Sequence, residues 1–265
     1  MRLRNRERDI VTPFELALAD TRAAAGTPIR GELRDLGQPA DVALLRIETC
    51  PSGRLALEIA SCRVEPGEDV VVPVPADAPP TVAGRECALR YAVRVRSPVS
   101  RRRPAQVSVP VEIHGGEQPV HETVHLFDRM IASFPARGFH IELAEAVLEG
   151  GGRIAGRVHV HDRAPRSIEA IVRCEETWRT NFQYRNRRQP PLWRSEPRWR
   201  DSVALERDPD RSWQGFAFAI PAGLPPAVEG HIVCWRYEVE ARRRGRVGRA
   251  ERAVVTPLRF DIDDG

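Results

Sequence analysis

Apolar and polar residues alternate with a period of two along most of this chain. Phe14, Leu16 and Leu18 occupy every second position, and Leu45 and Ile47 flank Arg46. Ala88 to Arg96 and Val233 to Arg243 alternate over longer stretches. This period puts successive side chains on opposite faces, so each stretch predicts a strand with one buried face. Pro and Gly interrupt the pattern at short intervals, as the turns of a β-sandwich require. One segment differs. Val124, Phe127, Met130, Ile131 and Phe134 recur at helical spacing, and Pro135 would end that element. A short linker helix or turn is expected there.

The pattern is also duplicated. Phe14-Glu-Leu-Ala-Leu-Ala-Asp20 aligns with Phe139-His-Ile-Glu-Leu-Ala-Glu145, and Gly26-x-x-Ile29-x-Gly31-x-Leu33 with Gly151-x-x-Ile154-x-Gly156-x-Val158. A second block pairs Pro75-Ala-Asp-Ala-Pro79-Pro80-x-Val82-x-Gly84 with Pro221-Ala-Gly-Leu-Pro225-Pro226-x-Val228-x-Gly230. Arg90-Tyr91-x-Val93 then matches Arg236-Tyr237-x-Val239. Two copies of one all-β unit point to a binding scaffold rather than to a catalyst built around one pocket. The expected divisions are a first domain at 1–113, a linker at 114–135 and a second domain at 136–265.

Composition narrows the class. A chain of 265 residues with 42% hydrophobic content can build two cores of ordinary size. No apolar run approaches the roughly 20 residues that span a membrane. The first residues, Met-Arg-Leu-Arg-Asn-Arg-Glu-Arg, lack an apolar signal core. Five cysteines (Cys50, Cys62, Cys87, Cys174, Cys234) show no Cys-x-x-Cys spacing, so a reducing cytoplasm is the expected location. The 41 basic residues are all Arg and leave a net charge of +4, too mild to point to nucleic acid or a membrane surface.

The strand, the Pro-x-x-x-Pro-Pro-x-x-x-Gly segment and the following Arg-Tyr-x-Val strand resemble the arrestin-like domain. The Gly-x-x-Ile-x-Gly-x-Leu/Val block is similar to the family's second strand, where arrestins and bacterial sporulation-control proteins carry a comparable pattern. The resemblance spans both copies. It implies an all-β chain of two tandem, immunoglobulin-like seven-stranded sandwiches that bind no cofactor and catalyse nothing. Such proteins are adaptors that dock partner proteins. The bacterial members suggest a scaffold in sporulation, stress or envelope regulation. The amphipathic helix that animal arrestins carry on the first sandwich is not expected, because the interval from Glu48 to Pro75 is short and broken by Pro and Gly.

The copies differ in length. Matching residues are 127 apart at Arg46 and Arg173 but 146 apart at Tyr91 and Tyr237, so about 19 extra residues lie between them in copy two. The predicted insertion, 178–213, is rich in Arg and aromatic residues. Trp178, Tyr184, Arg185, Arg187, Arg188, Trp193, Arg194, Arg198, Trp199 and Arg200 are the candidate partner-binding residues. Arg offers paired hydrogen bonds to carboxylates or phosphates, and Trp and Tyr offer contact area at low entropic cost.

Two other chemistries compete. His121-Glu-Thr-Val-His125 matches His-Glu-x-x-His, which on a helix aims two imidazoles at a zinc ion with Glu122 as general base. The longer metzincin pattern needs Gly and His where Asp128 and Ile131 stand. No metal is therefore assigned, and a zinc hydrolase is the alternative reading. His159-x-His161 would share a strand face but lacks a third ligand nearby. The Arg and aromatic mixture would also suit single-stranded nucleic acid. A protein remains the expected partner. Tyr91 and Tyr237 are expected to be half-buried, with hydroxyls tied to a neighbouring loop. Gly150-Gly151-Gly152 is expected to be a hairpin turn.

Overall fold

The computed structural model describes residues 14–97, 105–114, 139–160, 168–182, 192–205, 213–244 and 250–255. Every regular element among them is a strand. The first nine are β1 (Glu15–Leu18), β2 (Arg22–Ala24), β3 (Ile29–Arg34), β4 (Ala40–Cys50), β5 (Gly53–Val64), β6 (Asp69–Val72), β7 (Val82–Ala83), β8 (Ala88–Ser97) and β9 (Ala105–His114). The rest are β10 (Phe139–Ala146), β11 (Arg153–Val160), β12 (Ile168–Arg179), β13 (Trp193–Leu205), β14 (Trp213–Ala219), β15 (Val228–Glu229), β16 (Val233–Arg244) and β17 (Ala250–Val255). The interval from Glu48 to Pro75 holds no helix; β5 and β6 fill it. The expected linker helix or turn, with His121, Glu122 and His125, lies outside the described residues.

The duplication extends to strand order. One small sheet runs β1-β3-β6 and its counterpart runs β10-β11-β14. One larger sheet runs β2-β9-β8-β4-β5, with β7 on β8; its counterpart runs β13-β12-β16-β15, with β17 also on β16. Only β2, which pairs parallel with β9, has no equivalent among the described residues. The repeated glycines have a steric cause. A Cβ at Gly31 would lie 2.5 Å from the carbonyl oxygen of Ala17, and one at Gly156 would overlap that of Glu142. Each glycine thus lets a neighbouring strand pass closely.

By contact the chain divides into two units. The first is Met1–Ile47, Arg54–Thr81 and Leu89–Gly116; the second is Glu48–Gly53, Val82–Ala88 and Glu117–Gly265. The segments Glu48–Gly53 and Val82–Ala88 cluster with the second unit because Glu48 and the backbone of residues 85–87 find their hydrogen-bond partners there.

In the first unit, alternate residues of both sheets are buried. Leu16, Leu33 and Val70 come from the small sheet, and Val42, Leu89 and Val93 from the larger. In the second unit, Ile154, Val158 and Phe218 of the small sheet pack with Val172, Tyr237 and Val239 of the larger one. Tyr91 and Tyr237 are fully buried, deeper than expected, and each hydroxyl donates at 2.7 Å to a proline carbonyl, Pro79 and Pro225 respectively. The repeated prolines thus accept the hydrogen bond that a buried phenol needs. The Gly150–Gly152 segment turns β10 into β11, with the Val147 N–H donating to the Arg153 carbonyl.

Candidate docking edge

Strand β13 is the counterpart of β5, so the predicted insertion at 178–213 mixes repeated and added chain. The added length falls partly between β12 and β13, where Thr180–Leu192 stands in place of Pro51–Ser52. The structure divides the candidate residues into three sets. Tyr184, Arg185, Arg187 and Arg188 lie outside the described residues. Trp178, on β12, is only 4% exposed and is a core residue rather than a docking residue. Trp193, Arg194, Arg198, Trp199 and Arg200 all stand on β13.

Within β13 the side chains do different things. Trp199 is half-buried and packs on the core of the second unit. Arg194 is exposed and lies over the Trp178 ring, 5.9 Å from its centroid, in cation–π contact. Arg198 points a largely buried guanidinium at Glu176, 3.6 Å away. Trp193 and Arg200 face solvent. A bulge explains why the strand lacks a regular alternation. Trp199 opposes Cys174 and Pro197 opposes Glu175, so Arg198 is the extra residue. From that point the side chains exchange faces. Pro197 has no N–H, and a bulge at a sheet edge tolerates that loss.

Strand β13 is an edge. Among the described residues it hydrogen-bonds to β12 alone, leaving its other side without a strand. Three of the exposed large apolar residues lie on it or beside it: Leu192 (56%), Trp193 (45%) and Val203 (37%). The buried thiols offer little chemistry by contrast. Burial raises the Cys87 thiol well above its usual range and pushes Cys174 and Cys234 up to about 11. At neutral pH these thiols stay protonated and behave as small apolar residues. Arg173, on the outer face of the sheet, is bracketed by Glu238 at 2.6 Å, Glu240 at 3.4 Å and Glu175 at 3.8 Å, so its charge is already matched.

In the first unit, the exposed face of β1-β3-β6 carries an open depression of about 420 Å³, rimmed by Arg30, Glu32, Arg34 and Asp69. Its charged side chains are exposed. No group of three or more His, Cys, Asp or Glu with metal-binding geometry occurs among the described residues. His159 is half-buried on β11, while His161 lies outside the described residues. Among the described residues no helix is long and apolar enough to cross a membrane.

Sequence reasoning missed two buried carboxylates. Glu48 and Glu176 are both 0% exposed. Glu176 accepts from the backbone N–H of Cys87 at 2.7 Å and of Glu86 at 3.2 Å, and Glu48 from those of Ile232 at 2.7 Å and His231 at 3.0 Å. The signal was present, because Glu48-Thr49 recurs as Glu176-Thr177. Compared with known proteins, the chain matches no protein-family model and no curated sequence.

Proposed function

We propose that this chain is a non-catalytic, arrestin-like adaptor that docks a partner protein along the open edge of β13. One observation carries the reading: exposed apolar residues gather at a sheet edge that, among the described residues, has no strand beside it. A long edge presents unpaired N–H and C=O groups, and an extended partner segment can complete them while its side chains meet the flanking residues. Trp193 and Val203 would supply contact area and Arg200 a hydrogen-bonding cation. The duplicated strand order supports the arrestin-like assignment, since both copies repeat one sandwich pattern. A scaffolding role in bacterial sporulation, stress or envelope regulation extends the same resemblance.

The test compares the full chain with a Trp193→Ser/Arg200→Glu variant as immobilised bait. Both residues are exposed, so the variant should keep its thermal midpoint. The expected result is loss of the proteins that the parent chain retains. An unchanged set of bound proteins, with the fold intact, overturns the edge reading.

A further inference from the structure

We propose that Glu48 and Glu176 form a reciprocal latch, each holding the turn that follows the repeated glycine of the other copy. Glu176, on β12, accepts from the N–H groups of Cys87 and Glu86 and, at 3.3 Å, of Arg85. These residues follow Gly84. Glu48, near the end of β4, accepts from the N–H groups of His231 and Ile232, which follow Gly230. The carboxylates are equivalent in the repeat and so are the turns, but their partners are exchanged. All of these groups belong to the second unit.

The chemistry explains why the arrangement needs these residues. Successive backbone N–H groups converging on one point form a concave anion site. A buried carboxylate requires such donors, because without them its desolvation is prohibitive. The turns themselves are alike: Gly84 N–H donates to the Cys87 carbonyl and Gly230 N–H to that of Val233, each at 2.8 Å. Neither glycine is required by a left-handed φ. Both are crowded by a carboxylate, and each has a second close neighbour 2.8 Å from an added Cβ: Trp235 Nε1 at Gly84 and the Val233 carbonyl oxygen at Gly230. A Cβ at Gly84 would overlap Glu176 Oε1, and one at Gly230 would lie 2.7 Å from Glu48 Oε2. The glycine and the glutamate that excludes any larger residue thus come from different halves of the chain.

This makes the second unit depend on segments Glu48–Gly53 and Val82–Ala88, and each end of the latch can be released separately. The inference does not rest on the docking proposal, although Arg198 of β13 also lies 3.6 Å from Glu176. Amide-resolved hydrogen exchange on the full chain tests it. Gln is nearly isosteric with Glu but replaces one acceptor with a donor facing the N–H groups. In Glu176→Gln, protection of the Glu86 and Cys87 amides should fall at least tenfold while that of His231 and Ile232 holds. In Glu48→Gln the pattern should reverse. Equal loss at both turns, or loss at neither, overturns the proposal.

Should a Gln variant fail to fold, thermal midpoints of Gly84→Ala and Gly230→Ala, alone and combined with Glu176→Asp or Glu48→Asp, decide the matter. The exchanged pairs, Gly84 with Glu176 and Gly230 with Glu48, should be non-additive and the other two combinations additive. Additivity in all four combinations overturns it.

Discussion

Strands β5 and β13 hold the same position in their sheets, each at the edge beside its long neighbour, β4 or β12. They treat their side chains differently. On β5 the apolar residues Leu55, Leu57 and Ile59 are half-buried while Arg54, Glu58 and Arg63 face solvent. The exposed positions alternate at 54, 56 and 58, shift by one at Ile59–Ala60 and resume at 61 and 63, and none of them is a large apolar residue. On β13 the alternation breaks at the Arg198 bulge, and Trp193 and Val203 remain exposed. One sandwich pattern therefore supports both an edge strand with a polar exposed face and one that exposes apolar residues. The buried frame is repeated, down to the tyrosine hydroxyls on proline carbonyls, whereas the divergence sits at the rim. Scaffolds carry specificity where change does not disturb the core.

The largest effect should come where the two hairpins differ inside the core. Trp178 on β12 occupies the repeat position of Cys50 on β4, two residues beyond the shared glutamate. Both are buried. Truncating Trp178 to Ala removes a large ring and the platform under Arg194, and should destabilise the chain by about 4 kcal/mol. Cys50→Ala removes one sulfur and should be worth about 1 kcal/mol. Urea unfolding of both variants checks this. Equal effects would mean that Trp178 behaves as a surface residue and that the hairpin bases are alike.

Thiol ionisation separates edge from interior next. Cys62, on β5, is half-buried, and burial raises its thiol above the usual range, whereas Cys174 and Cys234 are pushed up to about 11. A folded pKa above the unfolded value of 9.0 favours the native state while the thiol stays protonated. That stability is fully present below pH 9 and is lost as pH rises towards 11. A shift of that size should make each of these two buried thiols account for about 2 to 3 kcal/mol of alkaline destabilisation. Urea midpoints at pH 8 and pH 10.5 should show the loss, and Cys174→Ala should reduce it. In the native chain an alkylating reagent should modify Cys62 well before Cys174 or Cys234.

Much of the frame was legible in the sequence because strand periodicity and duplication are local or pairwise signals. Gly31 and Gly156, and Tyr91 and Tyr237, could be matched by eye, and their roles follow from close backbone approach and from a buried hydroxyl's need for an acceptor. The site was harder. Trp178 was grouped with the inserted residues because the offset changed near it, although it belongs to the repeated strand β12. Strand β13 was hidden by its bulge, which places Pro197 and Arg198 where an alternating pattern would continue. Glu48 and Glu176 were missed for a physical reason. A glutamate within a strand ordinarily signals the solvent face, and these two are inside because backbone donors distant in sequence satisfy them.

The smallest expected effect on stability bears most directly on the comparison of the edges. If Trp193 is held out for a partner, the isolated chain gains little from it. The residue is 45% exposed and stands at the start of β13. Trp193→Ser should therefore change the unfolding free energy by no more than about 0.5 kcal/mol, as surface substitutions do. Leu57, in the middle of β5, is half-buried, and Leu57→Ser should be worth about 2 kcal/mol through lost apolar contact. Chemical denaturation of the two variants under one set of conditions measures the contrast. If Trp193→Ser proves as destabilising as Leu57→Ser, then the tryptophan supports the sandwich as Leu57 does and is not held out for a partner. If the contrast holds, its exposed apolar surface is unexplained by folding, and an external contact is the remaining physical reason to keep it there.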